Sequence, residues 1–417
     1  MKRIFDPIHH VIELEPGETA LLDTAPMQRL RRLRQLGLAH LAFPAAEHSR
    51  FGHVLGAMVF GDRVLSTLRR TCPEAFSDEA EYHRQRRLLR ASLLLHDVGH
   101  GPFSHSCEAV LGVHHEARTA AILAEPDIAT ALERLEVDAR EVLALITGAQ
   151  EAHPILRELV SGPNLDADRM DYLQRDAYFT GVNAGRYDAD QLVASLRIYN
   201  HHGRPILGVD GRGRIALESF VMARYFLFAS VYFHHTTRAF ERSLHEALHL
   251  LWPDPRRLDT LSEFLAWDDM RVIDALRTLS GEAALALRNR RRLYSLIAEY
   301  DTAHDDATFA HTARRLRERY GDALWEDTQA QLLHRLPLGT SSNAPTIFVQ
   351  TASGLVDARE ASDLIAKLSG RAFWRKLYLR RSAGIDIEEA RRLARESRAI
   401  ETERSENACN NRHDATE

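Results

Sequence analysis

The chain has 417 residues, 45% hydrophobic and 27% charged, with a formal net charge of −5. That suffices for two or three domain-sized units, or one large core with an appendage, and it excludes a global basic field for nucleic acid, so any anion site must be local. Cys72, Cys107 and Cys409 share no C-x-x-C spacing, which argues against a disulfide framework or a thiolate zinc knuckle and fits a reducing cytoplasm.

In chain order, "MKRIFDPIHHVIELEPGE" is broken by charges and prolines, unlike a signal peptide. No apolar run approaches the roughly 20 residues of a bilayer span, so no membrane association is expected. The run "QRLRRLR" (28–34) reads as a solvated helical face, with Leu30 and Leu33 turned inward. Residues 88–95, 119–124, 139–149 and 219–251 carry apolar positions at helical spacing. "RPILGVDGRGRIALES" (204–219) reads as a hairpin around Asp-Gly-Arg-Gly. "APTIFVQTASGLVDARE" (344–360) repeats that shape around Ser-Gly, after a loop at 337–345 and before the helix-like "ASDLIAKLSG". The expected organisation is a mainly α core at 1–330 and a small α/β appendage at 331–390. Residues 391–417 are expected to be a polar tail, helical at first and then disordered.

The chemistry concentrates in "LLLHDVGHGPFSH" (93–105). His96 and Asp97 are about 100° apart on a helix, but at a helix C-terminus, which Gly99 favours, both can converge on one ion. Imidazole and carboxylate together suit Mn, Fe, Zn, Ni or Mg-type ions. An isolated His-Asp pair more often caps a helix, yet this one has company. "HSRFGHVLGAM" (48–58) places His53 near a helix start beside Arg50. "NLDADRMDYLQRDAYFTG" (164–181) sets Asp166, Asp168 and Asp171 around Arg169. Asp168, Tyr172 and Asp176 share one helical face, which is either solvated surface or the wall of a site.

His53, His96-Asp97 and Asp168, with "DPIHHVIEL", "DTAPMQRLRRLRQLG", "FPAAEHSRFGHVLGAM", "LLHDVGHGPFSH" and "DADRMDYLQRDAYFTG" in that order, resemble the HD-domain metal-dependent phosphohydrolases. The wording is that of the deoxynucleoside triphosphate triphosphohydrolase branch, which includes the sterile-alpha-motif-and-HD-domain protein of vertebrates. The resemblance spans roughly residues 2–250, more weakly 345–370, and implies the HD-domain helical fold as a catalytic core without a sterile-alpha-motif domain. It implies a divalent metal (Mn, Fe, Mg or Zn) on His53, His96, Asp97 and Asp168, with a second Mg on the triphosphate. It also implies attack at the α-phosphorus of a dNTP, giving a deoxynucleoside and tripolyphosphate.

By the same resemblance, His100 and His115 are the catalytic pair and Glu108 orients one of them. His115 is then the acid, with His114 as the alternative register. Arg50, His105, Arg169 and Tyr172 match phosphate contacts. Asp176 and Tyr232 match sugar contacts, with the Tyr232 ring excluding a ribose 2′-hydroxyl, and Gln35 and Leu36 match positions at the 3′-hydroxyl. Asp23, Gln28 and Arg31, with Lys2 and Arg3, match an allosteric nucleotide site between subunits, which implies an activating nucleotide and a homo-oligomer (dimer, tetramer or hexamer). The uses implied are dNTP pool control or antiviral defence. Phe5, His10 and Gly52 depart from the family, standing where it has a polar residue, a glycine and an acidic residue.

"GRGRIA" (211–216) fits G-x-G-x-x-A but is expected to be a hairpin turn, "HHEARTA" lacks the second histidine of a zincin, and no P-loop occurs. Two alternatives stand beside the dNTPase reading. One is an HD-type phosphodiesterase or nuclease acting on cyclic nucleotides or single-stranded nucleic acid. The other is a non-catalytic nucleotide-sensing module.

Overall fold

The computed structural model describes residues 2–112, 115–254, 258, 260–300, 306–332, 347–368, 371–381 and 384–399. His114, the loop expected at 337–345 and the end of the tail lie outside the described residues. The fold is mainly α, with small sheets built largely from the C-terminal part.

Helix Arg50–Thr71 packs against helices Glu79–Leu95 and Ala167–Thr180. Val54, Leu55 and Met58 meet Leu94, Leu95, Met170 and Leu173 in one core cluster, each at most 2% exposed. Fully burying such a side chain stabilises by about 1.5–3 kcal/mol, so these faces hold the site-bearing helices in register. Close approach needs glycine twice. A Cβ on Gly56 would lie 1.8 Å from Asp171 Oδ1, and one on Gly99 would lie 2.2 Å from the His115 carbonyl oxygen. Gly99 follows the end of the helix, as expected, without a positive φ, and it makes room for helix His115–Leu123. Helix Glu79–Leu95 begins on Asp78, whose carboxylate accepts from Glu81 N at 2.8 Å, a cap worth about 1 kcal/mol. It ends at Leu95, so His96 and Asp97 do leave a helix C-terminus together.

The first expected hairpin is displaced. Strand Arg204–Asp210 pairs antiparallel with Leu196–His201, while Gly211–Gly213 is a turn into helix Arg214–Leu227. "RIALESF" is helical because Ala216, Leu217 and Phe220 are buried together at helical spacing. The strand–turn–helix order is therefore the one "GRGRIA" would need, contrary to expectation. Packing closes it to a phosphate: a Cβ on Gly211 would lie 2.5 Å from the Gln350 carbonyl oxygen. By length and composition the segment Gly211–Tyr232 could cross a membrane, which the sequence reading missed; its Leu217, Phe220, Val221, Leu227 and Val231 lie in the core.

The second hairpin forms as Phe348–Thr351 and Gly354–Asp357. It is not set apart, because Phe348–Thr351 pairs parallel with Arg204–Asp210, and Ile347, Val349, Ala358 and Ile365 join the main core. A further sheet places strand Arg371–Arg380 between Tyr294–Tyr300 and Leu324–Leu332. The boundaries expected after 330 and 390 fall inside strand Leu324–Leu332 and inside a helix at 387–399, whose Ala390, Ala394 and Ser397 are buried.

The arginine run is not a solvated face throughout. Arg29 is 2% exposed and donates to the carbonyl oxygens of His100 and Trp267, both at 2.8 Å. It thus anchors the turn that follows His96-Asp97.

Candidate metal centre and substrate cavity

The metal ligands expected from sequence meet in space. His53 Nε2 lies 2.9 Å from Asp168 Oδ1 and 3.8 Å from Asp97 Oδ2. His96 Nε2 lies 3.5 Å from Asp97 Oδ1 and 3.7 Å from Asp168 Oδ1. The other nitrogen of each ring is engaged: His53 Nδ1 faces Asp171 Oδ2 at 2.9 Å, and His96 Nδ1 faces the Leu93 carbonyl oxygen at 2.7 Å. Both Nε2 atoms are buried without a hydrogen-bond partner, which would cost about 1–3 kcal/mol each unless a cation or proton took the position. Two such lone pairs beside two carboxylates fit a divalent cation, and the engaged second nitrogens are the usual outer support of metal-bound histidines.

Proton and cation compete there. Burial works against the His53 imidazolium, but Asp168 and Asp171 outweigh it and raise its pKa to about 10. Burial would push the Asp97 carboxyl up, yet Arg50, His96 and His100 hold it well below the usual range.

A second group adjoins the first. His100 Nδ1 and His115 Nδ1 lie 3.3 and 3.1 Å from the same Glu108 Oε1, and the two rings stack with centroids 4.1 Å apart. His100 Nε2 also faces Asp97 Oδ1 at 3.3 Å. Burial and Arg50 lower the His100 pKa, whereas Glu108 overcomes burial at His115 and raises it. At neutral pH the pair is thereby polarised, with His115 the better proton carrier. The side chain of His105 lies outside the described residues.

Both groups open on a cavity of about 1060 Å³, lined among others by Gln35, Leu36, Arg169, Tyr172, Asp176 and Tyr232. Arg50 reaches Asp97 and donates to Ser104 Oγ from Nη2 at 2.6 Å, so it is tied to the ligand set as well as facing the cavity. Arg169 donates from Nη1 to the Gly162 carbonyl oxygen at 2.7 Å and pairs with Asp166. Tyr232 donates from its hydroxyl to Asp176 Oδ2 at 2.7 Å, while Asp176 Oδ1 faces His48 Nε2 at 2.8 Å. The ring of Tyr232 meets that of Tyr172 edge to face, 6.2 Å between centroids.

The HD domain model matches residues 50–176, and the model of the HD associated region matches residues 187–375. The first of these ranges contains every residue of the two groups just described. The chain carries an HD domain. An uncharacterised protein of Bacillus subtilis is 37% identical over 247 residues, 58% of this chain and 54% of that protein. The human deoxynucleoside triphosphate triphosphohydrolase SAMHD1 is 30% identical over 231 residues, 48% of this chain and 36% of that protein. The crystal structure of a hypothetical protein from Aquifex aeolicus superposes with a TM-score of 0.75 at 29% identity, covering 95% of this chain and 99% of that one. The chain spans about half the length of the curated relatives it matches.

Sequence reasoning assigned no role to several residues that the structure brings to the site. Asp171 was noted only as one of three carboxylates, yet it is the one that holds His53. Ser104 Oγ accepts from Arg50, and His48 Nε2 faces the accepting Asp176 carboxylate. Arg224, 7% exposed, carries its charge beside Tyr172, Arg169 and Asp166, and burial lowers its pKa. Its helical spacing from Tyr232 was the available signal. "HEALH" (245–249) also fits H-E-x-x-H and went unnoticed, but Glu246 is committed to Tyr294 and Arg380 instead of a metal.

The residues expected at an allosteric nucleotide lie on another surface. Lys2 Nζ is 3.9 Å from Asp23 Oδ1, and Arg31 donates from Nε to Gln28 Oε1 at 2.9 Å while its guanidinium lies 3.6 Å from the Phe51 ring centroid. Gln28 donates to the Leu22 carbonyl oxygen, next to Asp23. Arg3 turns to Glu13 on the facing strand.

Proposed function

We propose that this chain hydrolyses deoxynucleoside triphosphates to deoxynucleosides and tripolyphosphate. The observation that carries the reading is the junction of two groups in one cavity: His53, His96, Asp97 and Asp168 as a cation site, and His100, Glu108 and His115 as a proton-transfer site. The HD domain and the similarity to a deoxynucleoside triphosphate triphosphohydrolase support metal-dependent phosphohydrolase chemistry of this kind.

A divalent ion held by the four ligands, Mn, Fe, Mg or Zn, supplies Lewis acidity at a phosphoryl oxygen and activates water. Arg50 and Arg169, with Arg224 behind Tyr172, offset the roughly four negative charges of a triphosphate. Water adds at the α-phosphorus, its proton passing to solvent from which His115 is reprotonated, and the bond to the 5′-oxygen breaks. His115, its Nδ1 held by Glu108, delivers the proton from Nε2 to that leaving oxygen. His100, kept neutral, lies between Glu108 and Asp97 and donates its single N–H to one of them. Gln35, Leu36 and Asp176 seat the sugar, and the Tyr232 ring, pinned by Asp176, closes the space a 2′-hydroxyl would need. His105, a second Mg on the triphosphate, an activating nucleotide at Lys2, Arg3, Asp23, Gln28 and Arg31, assembly into an oligomer and a cytoplasmic setting complete the proposal.

The test is a panel of four dNTPs, four NTPs, cyclic nucleotides and single-stranded oligonucleotides, with Mn²⁺ and Mg²⁺ and with each nucleotide added as activator. Turnover of dNTPs over NTPs supports the reading. Cleavage confined to oligonucleotides or cyclic nucleotides replaces it with a phosphodiesterase, and turnover of nothing leaves a sensing module.

A further inference from the structure

We infer that the N-terminal hairpin, Lys2–Asp6 and His10–Leu14, is a positioning element of the metal centre, through which hairpin docking and cation affinity are coupled. The inference rests on His53 being a cation ligand, as read above.

The chain of contacts is continuous and buried. His53 Nδ1 faces Asp171 Oδ2 at 2.9 Å, and His9 Nε2, in the hairpin turn, faces Asp171 Oδ1 at the same distance. Arg175 donates to the two Asp171 oxygens at 2.8 and 3.0 Å and from Nη1 to Asp6 Oδ2 at 2.8 Å. Asp6 Oδ1 in turn accepts from the backbone of Ile8 and His9, both at 2.9 Å, so one carboxylate shapes the turn and grips the arginine. The side chains of Asp6, His9, His53, Asp171 and Arg175 are all at most 6% exposed. Asp171 has no room to swing, since Gly56 gives it only the space of a missing Cβ. The network is buried, so loss of the hairpin would leave Asp171 and Arg175 partly unpaired in the interior. His53 would then lose the fixed partner that sets which of its nitrogens is offered to a cation.

The opposite face of the hairpin is open to solvent. Phe5 is 85% and Val11 46% exposed, and the two are cross-strand partners. By reciprocity, if docking of the hairpin favours the cation, the cation must favour docking.

The experiment measures Mn²⁺ affinity by calorimetry on the full chain, and amide hydrogen exchange of residues 2–14 with and without Mn²⁺. Asp171→Asn is expected to weaken Mn²⁺ binding by about 10–100-fold, and His9→Ala by about tenfold, the range typical of outer partners. In an Asp171→Asn background His9→Ala should add nothing, because it acts through that carboxylate. Mn²⁺ should slow exchange in the hairpin, and Glu13→Gln, on the exposed side, should leave affinity unchanged. Asp6→Asn is the second variant if His9→Ala fails to fold. Affinity unchanged in a folded His9→Ala protein of lower Tm, or exchange indifferent to Mn²⁺, overturns the inference while the metal site stands. No Mn²⁺ binding by the unaltered chain overturns the metal reading beneath it.

Discussion

His53 and Asp168 meet at 2.9 Å, Nε2 to Oδ1, although they come from separate helices that touch only because Gly56 is a glycine. Removing either ligand should empty the site without unfolding the core. Asp168→Ala and His96→Ala are predicted to bind no ion by atomic emission and to lose roughly 10³-fold in activity, several kcal/mol of transition-state stabilisation. Circular dichroism should stay unchanged.

Proton delivery depends on Glu108. It raises the His115 pKa, and an acid works only while protonated, so activity should fall as pH rises past that pKa. Glu108→Gln removes the raising charge and should move the alkaline limb to lower pH. His115→Asn should cut kcat by about 10²–10⁴-fold and flatten that limb, with ion content unchanged in both variants.

Cation binding should release a proton. The pKa of His53 is raised to about 10, so at pH 8 the ring is protonated unless a cation displaces the proton. Calorimetric enthalpies of Mn²⁺ binding are therefore predicted to vary with buffer ionisation enthalpy, and affinity should climb with pH up to about 10. The same titration of His53→Ala should show no binding.

His10 takes a left-handed conformation, φ 59, at the start of its strand. An L side chain there costs on the order of 1 kcal/mol, which a glycine avoids. His10→Gly should raise Tm by about 1 °C in a chain of 417 residues, and activity should be unchanged or higher.

The proposed ligand set was legible because metal chemistry restricts residue types so strongly that His53, His96-Asp97 and Asp168 stand out in three short stretches. The partners of those ligands were not. Asp171, Arg175 and Arg29 look like ordinary surface charges in sequence, and only the packing of distant segments turns them inward. The hairpin at 204–219 failed for a related reason. Its first half is a strand, but helical burial of Leu217 and Phe220 decided the second half against the turn chemistry of Asp-Gly-Arg-Gly. Gly52 illustrates the limits of resemblance: a Cβ there would lie 3.5 Å from Arg175 Nη1, so the acidic residue of the family would face a guanidinium already answered by Asp6 and Asp171.

The central claim is that the two histidine-carboxylate groups together break the innermost ester of a dNTP. Phosphorus NMR of the products formed by the Mn²⁺-loaded chain in ¹⁸O-water tests it most directly. Attack at the α-phosphorus should give tripolyphosphate carrying one ¹⁸O on a terminal phosphate, with an unlabelled deoxynucleoside. Release of pyrophosphate or orthophosphate with a deoxynucleotide, or label on the deoxynucleoside, would contradict it.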